Sequence, residues 1–342
     1  MKVGIAGFVG AGKTTVFQWL TGVRPDPAAA QRGQIGMAKI PDARLEWLSE
    51  QFRPKKTTPA TIEFLDTPGL MATERRDNPR RLGILRESGG LLVVLSGFGP
   101  VDLADELRRF REELLFADLE IITNRIGRLE DQAKKPKPAK EREADQSEME
   151  ILRRLVETLE SGKSAGDLGL KEDEEKTIRS FQLLTLKPEV VLVNISDDRI
   201  GTALPADLIG LAPTALMAPA KLELELEELA ENDRQAFMND LGLTASLRGE
   251  VLRKIYYAMG EIVFFTIGED ECRAWSLARG ENAVMGAGKI HTDLAKRFVR
   301  AEVVSFSDYR RVGSMKEAKT QGVYRLEGKT YLVDDGDIMH IL

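Results

Sequence analysis

The segment Gly7-Phe8-Val9-Gly10-Ala11-Gly12-Lys13-Thr14 matches G-x-x-x-x-G-K-[ST] at every fixed position, and it constrains this chain more than any other stretch. Its flanks fit: residues 2–6 (KVGIA) are a short apolar run suited to a buried strand, and residues 14–20 (TTVFQWL) read as a helix. In this strand, loop, helix order the glycines let successive backbone N–H groups turn inward around phosphates, and the helix N-terminus adds partial positive charge. The backbone at Gly7, Gly10, Ala11, Gly12, Lys13, Thr14 and Thr15 is the expected phosphate cradle. Lys13 is expected to reach the β- and γ-phosphates, and Thr14 to offer its hydroxyl to Mg²⁺, which prefers hard oxygen ligands. A glycine turn without a ligand is the plainer alternative, and motif and context together weigh against it.

With 342 residues, 42% of them hydrophobic, the chain can bury a sizeable core, and its length suggests two or three domains. A net charge of −6 and a pI near 5.4 argue against nucleic-acid wrapping by the whole surface, so any RNA contact must be local. The single cysteine, Cys272, cannot form an intramolecular disulfide. The N-terminal apolar run leads straight into the phosphate loop, so no signal peptide is expected, and no stretch is long enough to span a bilayer. A cytoplasmic protein is the expectation.

Beyond the first helix, Thr21-Gly22 reads as a stop and residues 24–36 as a loop without a clear period. Switch proteins with this motif carry a mobile segment here that offers a threonine to Mg²⁺. No threonine lies between Thr21 and Thr57. Residues 61–65 (TIEFL) then read as a strand leading into Asp66-Thr67-Pro68-Gly69. An aspartate at a strand end followed by a glycine turn is suited to hold the Mg²⁺ water shell, through Asp66, and to sense the γ-phosphate, at Gly69. Leu70 stands where a glutamine often orients the attacking water.

Residues 89–95 (GGLLVVL) form a continuous apolar run expected of a strand covered on both faces. A charged insertion follows that reads as two helices. Leu103, Leu107, Phe110 and Leu114 keep helical spacing, and Leu115, Leu119, Ile122, Ile126 and Leu129 continue it after a one-residue phase shift. Met149, Leu152, Val156 and Leu159 mark the second helix, and the lysines and prolines of residues 134–140 (KKPKPAK) mark the turn. This predicts an antiparallel helical hairpin whose basic tip, Lys134 to Lys140, is a candidate contact for RNA phosphates.

Residues 190–193 (VVLV) read as a strand that delivers Asn194-Ile195-Ser196-Asp197 to the edge carrying the phosphate loop. The pattern N-K-x-D binds guanine at such a place, and here Asn194 and Asp197 are kept while Ile195 replaces the lysine. A strand beginning at residues 214–217 ends in Ala218-Pro219-Ala220-Lys221, similar to a base-side S-A-K turn.

In this order the motifs resemble the YchF/Obg-like ATPase family of P-loop proteins, over nearly the whole chain. Family-like wording appears in Ile40-Pro41-Asp42-Ala43-Arg44-Leu45, in Pro54-Lys55-Lys56, in residues 59–64 and in residues 183–188. It is closest at the C-terminal end, in Phe264-Phe265-Thr266, Arg273-Ala274-Trp275, residues 288–293, residues 298–303 and Asp335-Gly336-Asp337, which resemble that family's TGS domain. The chain departs from the family at Val9-Gly10, at residues 71–81, and at Ala30, where the family's Mg²⁺-binding threonine falls.

The resemblance implies an α/β fold: a P-loop NTPase sheet domain with an inserted α-helical hairpin and a C-terminal small α/β TGS domain. The expected division is nucleotide-binding segments at 1–100 and 187–260, the hairpin at 101–186 and the TGS domain at 261–342. The implied activity is Mg²⁺-dependent binding and slow hydrolysis of a purine nucleoside triphosphate, ATP or GTP, as a conformational switch linked to the ribosome. A nucleotide-sensing module that binds a protein or RNA partner without appreciable hydrolysis is the alternative.

Overall fold

The computed structural model describes the chain except residues 30, 74, 100 and 242–245 and the side chains of residues 75 and 240. In chain order the elements are β1 (Lys2–Ala6), α1 (Lys13–Thr21), β2 (Gln34–Lys39), α2 (Ala43–Phe52), β3 (Lys56–Thr58), β4 (Thr61–Asp66), α3 (Asn78–Arg86) and β5 (Gly90–Gly97). Then come α4 (Leu103–Ala133), α5 (Ala139–Glu160), α6 (Glu172–Ile178), β6 (Glu189–Ile195), α7 (Ala206–Leu211), β7 (Leu216–Ala218), α8 (Ala220–Glu228) and α9 (Glu231–Asp240). The C-terminal part holds α10 (Arg248–Ala258), β8 (Glu261–Thr266), β9 (Glu271–Ala278), α11 (Ala283–Ile290), α12 (Thr292–Lys296), β10 (Ala301–Ser305), α13 (Phe306–Val312), α14 (Met315–Thr320), β11 (Arg325–Glu327) and β12 (Asp337–Ile341).

The strands form two sheets, ordered β2-β4-β1-β5-β6-β7 and β11-β10-β12-β8-β9-β3. In the first, β1 with β5, β5 with β6, and β6 with β7 are parallel. A parallel sheet is covered on both faces. Accordingly Leu91 to Leu95 and Val190 to Ile195 are buried throughout. Alternation along β6 sends Val191, Val193 and Ile195 into one apolar cluster, shared with Leu103, Leu107, Phe110 and Leu114 of α4.

The phase shift after Leu114 now has a physical reason. Up to that residue α4 packs on the sheet; beyond it, Ile122 and Leu129 join Ile151, Leu152, Leu155 and Leu159 of α5 in a separate cluster. Only residues 134–138 join the two helices, which share this cluster and so fold back antiparallel, and the ion pairs Arg125–Glu148 at 2.7 Å and Arg153–Glu130 at 3.6 Å cross between them. The tip is less basic than its composition suggests, because Lys134 pairs with Asp131 at 2.8 Å and Lys137 with Asp145 at 2.6 Å.

Residues 24–36 are not loop throughout, since β2 begins at Gln34. The strand escapes a reading by apolar alternation because its inward positions are small. Ala38 is buried, whereas the large side chains of Ile35 and Met37 are each 51% exposed.

The described residues fall into two compact units. One holds residues 2–36 and 64–245; the other holds Met1, residues 37–63 and residues 246–342. In the second unit a segment from the N-terminal half completes the C-terminal sheet: Lys56, Thr57 and Thr58 of β3 pair in parallel with Glu271, Cys272 and Arg273 of β9. Arg44 of α2 bonds Asp335 at 2.7 Å and Asp42 at 2.8 Å. The sheet's core is built from Ile262, Phe264, Leu277, Val303 and Met339 beneath Ala283 and Ala287 of α11.

Candidate phosphate-binding site

The loop between β1 and α1 takes its shape from glycines that no other residue can replace without strain. Gly7, Gly10 and Gly12 have φ of 137°, 92° and 81°, in the region that favours glycine. A Cβ at Gly7 would collide with the Val94 carbonyl, and one at Gly12 with the Asn194 amide. Asn194 closes the loop from the sheet side: its Nδ2 donates to Ala11 O at 3.2 Å, and its Oδ1 accepts from Ala220 N at 3.3 Å. One buried side chain thus ties the phosphate loop to the start of α8.

Lys13, only 7% exposed, donates from Nζ to Phe8 O at 2.7 Å. Burial lowers its pKa to about 8, with Arg81 adding to the lowering and Asp66 and Glu106 opposing it. Thr14 Oγ1 donates to Asp66 Oδ2 at 2.9 Å. The other carboxylate oxygen, Oδ1, is buried and has no donor in hydrogen-bonding geometry among the described residues. Burial raises the Asp66 pKa, while Thr14, Lys13 and the Thr67 peptide hold it down. A hydroxyl and a carboxylate with an unsatisfied buried oxygen, beside a phosphate loop, form a hard-oxygen set that fits Mg²⁺ with water ligands.

The Asp66–Gly69 turn is held against the loop. Leu70 N donates to Gly7 O and Val9 N to Leu70 O, both at 3.0 Å. The Leu70 side chain is 1% exposed within the sheet-side cluster, so it has no access to a water. A Cβ at Gly69 would strike Lys13 Nζ, so the glycine lets this turn approach the lysine. Arg81, from α3, donates to the Gly69 carbonyl. A cleft of about 450 Å³ opens here, lined by Gly10, Lys13, Thr14, Asp26, Gln34 and Asp66 among others.

On the base side the sequence expectation changes. Asn194 is spent on the loop, and Ile195, which stands at the lysine position of N-K-x-D, is 4% exposed and lies in the core, because alternation turns it to the opposite face from Asn194. Asp197 is exposed at the following turn. Ala220 is fully buried at the N-terminus of α8, and the Lys221 side chain is 81% exposed, 3.6 Å from Glu225. Thr15 is half-buried in the first turn of α1. Ala30 and the side chain of Arg75 lie outside the described residues.

Two residues near the loop escaped the sequence reading. Phe98, 37% exposed, is the nearest apolar side chain to a Cβ built on Gly12, at 3.7 Å, and its only sequence signal is the Gly-Phe-Gly turn ending β5. Glu106 is a half-buried carboxylate whose oxygens accept from Ser96 N at 3.3 and 3.1 Å. Nothing in helical spacing distinguishes it from the other acids of α4.

Two sequence families match the chain: one described as 50S ribosome-binding GTPase over residues 2–125, and the YchF-GTPase C-terminal family, described as a protein of unknown function, over residues 262–342. The Ribosome-binding ATPase YchF of Bacillus subtilis (strain 168) is 32% identical over 365 residues, covering 99% of this chain and 98% of that protein. The protein of the same name from Escherichia coli O157:H7 is 32% identical over 363 residues, covering 100% and 98%. The structure of the Schizosaccharomyces pombe YchF GTPase superposes with a TM-score of 0.83 at 25% identity, covering 100% of this chain and 97% of that one. The fold is therefore an α/β P-loop sheet domain with an inserted helical hairpin and a small C-terminal α/β TGS domain. Full-length identity above 30%, together with the same architecture from the phosphate loop to the last strand, places this chain in the YchF family.

Proposed function

We propose that the chain binds ATP or GTP with Mg²⁺ in the Lys13–Asp66 cleft and hydrolyses it slowly, as a conformational switch associated with the ribosome. The observation that carries this reading is the convergence of Lys13 Nζ, the Thr14–Asp66 hydrogen bond at 2.9 Å and the unsatisfied Asp66 Oδ1 around one cleft. Mg²⁺, when bound, neutralises phosphate charge; Thr14 and Asp66 are the residues that would hold it and its waters. Lys13 supplies the fixed positive charge, and Gly69 brings a backbone turn to the terminal phosphate. The Phe98 ring, in place of Ile195, offers an apolar face to the base, and Asp197 an acceptor.

Slow turnover follows from what surrounds the reacting water. Leu70 is locked in the core, and Gly10 has no side-chain oxygen to help hold a potassium ion. One missing donor of this sort costs about 10²- to 10³-fold in rate. The same observation favours the second reading, a nucleotide-sensing module without appreciable hydrolysis. In either reading the division is nucleotide-binding segments 1–100 and 187–260, hairpin 101–186 and TGS domain 261–342. Ribosome or RNA contact is assigned to the hairpin tip, where Lys135 and Lys140 are exposed, and to the TGS domain. The relatives' name, Ribosome-binding ATPase, supports the ribosomal link, and a cytoplasmic setting goes with it. No described helix is long and apolar enough to cross a membrane.

Single-turnover phosphate release, in sodium and in potassium and without ribosomes, tests the proposal. Slow, Mg²⁺-dependent release unaffected by potassium is the expected result. No release supports the sensing module, and brisk or potassium-stimulated release overturns the account of Leu70 and Gly10.

A further inference from the structure

Lys13 and Arg81 share one peculiarity: both cations end on backbone carbonyls of the same junction. Lys13 Nζ donates to Phe8 O at 2.7 Å and Arg81 to Gly69 O. Those two acceptors flank a short backbone pairing in which Phe8 bridges Leu70 and Val9 N donates to Leu70 O at 3.0 Å. Arg81 and Lys13 meet at the Gly69 turn, where a Cβ on Gly69 would strike Lys13 Nζ and the Gly69 carbonyl accepts from Arg81. Lys13 has the Asp66 and Glu106 carboxylates near it, whereas the hydrogen-bond acceptor of Arg81 is a neutral carbonyl, so an anion entering beside the two cations gives Arg81 the larger gain. Charge-assisted hydrogen bonds to phosphate are roughly twice as strong as those to a neutral acceptor, and arginine's fork is suited to them.

The geometry around Arg81 gives it a defined reach. Asn78, at the start of α3, accepts from Met71 N at 2.9 Å, donates to Met71 O at 3.0 Å, and donates to Glu113 Oε2 at 3.0 Å. The helix carrying Arg81 is thereby pinned to the segment that follows Gly69. Beside it a hollow of about 280 Å³, lined by Val9, Gly69, Arg80 and Arg81 among others, leaves room for the guanidinium to leave its carbonyl.

We propose that Arg81 is this chain's own sensor for the terminal phosphate of a nucleoside triphosphate: parked on the Gly69 carbonyl without ligand, it moves to the γ-phosphate when a triphosphate binds, releasing the turn ahead of α3. The proposal rests on the nucleotide-binding reading above and adds the discrimination of triphosphate from diphosphate. Arg81 thereby supplies a side-chain contact to the γ-phosphate that the buried Leu70 cannot make.

The test is equilibrium titration of the full chain, with Mg²⁺, using non-hydrolysable triphosphate analogues and diphosphates of adenosine and guanosine. Arg81→Ala is expected to weaken triphosphate binding about tenfold to a hundredfold and diphosphate binding less than about threefold, with partial recovery in Arg81→Lys. Arg76→Ala, which removes an exposed charge nearby, is expected to change neither. Equal losses for both nucleotides, or no loss, overturn the sensor role and leave Arg81 a structural brace. A parent chain that binds no nucleotide at all overturns the underlying functional reading instead. Thermal melting without nucleotide checks folding, and if Arg81→Ala does not fold, Arg81→Gln against Arg81→Lys gives the same comparison.

Discussion

Thr14 Oγ1 donates to Asp66 Oδ2 at 2.9 Å across 52 residues of chain, and this bond joins the first residue after the phosphate-loop lysine to the end of β4. It leaves Asp66 Oδ1 buried and without a donor among the described residues. Asp66→Asn keeps the shape and removes the charge. It is expected to lower Mg²⁺ affinity in the nucleotide complex about tenfold to a hundredfold, as for other groups that act through a metal's waters. Nucleotide titrations over a range of Mg²⁺ concentrations measure this, and an unchanged Mg²⁺ dependence would remove Asp66 from the site.

Lys13→Ala is expected to abolish or greatly weaken nucleotide binding, since a charge-assisted contact of this kind is worth about 1.5 to 3 kcal/mol. In the parent chain the lowered pKa, about 8, gives a pH signature. Phosphates favour the charged lysine and raise its pKa, so affinity is full below pH 8 and falls as pH rises through it. Binding near pH 8.5 takes up a proton, readable as a buffer-dependent heat. For the nucleotide-free chain the sign reverses: between about 8 and the ordinary 10.5 the unfolded state holds more protons, so this group makes stability rise with pH. Binding heats independent of buffer would contradict the buried-lysine account.

The base-side turn predicts weak discrimination between purines. Ile195 is in the core and Asn194 is committed to the loop, which leaves exposed Asp197 as the sequence-predicted acceptor for guanine. One such contact contributes on the order of 1 to 3 kcal/mol. Competition between ATP and GTP for a fluorescent analogue is expected to show dual acceptance with a modest preference. A preference of a hundredfold or more for either would mean that a further contact reads the base.

Asp118 marks where α4 passes from the sheet to the hairpin. Fully buried, it accepts from Arg86 at 2.7 Å, from Leu184 N at 3.1 Å, and from Thr185 N and Oγ1 at 2.8 Å each. Removing one member of a buried pair leaves the other charge uncompensated, at a cost of roughly 3 to 5 kcal/mol. Asp118→Ala is therefore expected to lower the thermal midpoint by several degrees or more, while folded protein keeps its nucleotide affinity. A shift below one degree would show that water replaces the carboxylate.

Much was legible in the sequence because it is set by local chemistry. The φ-positive glycines at 7, 10 and 12 announce a loop that only glycine can build, and the apolar runs of β5 and β6 announce strands covered on both sides. Even the phase shift at Leu115 was visible, although its cause, the passage of α4 from sheet to α5, was not. What tertiary structure decided depends on contacts between distant segments. β2 is hidden by small inward residues, and β3 is a strand because β9 supplies its partner. Strand alternation, fixed only once β6 is placed between β5 and β7, turns Asn194 to the loop and Ile195 to the core. Among the arginines after Gly69, sequence gives no reason to choose; the pinned start of α3 brings Arg81 to the Gly69 carbonyl, since a side chain's direction on a helix is settled by what the helix packs against.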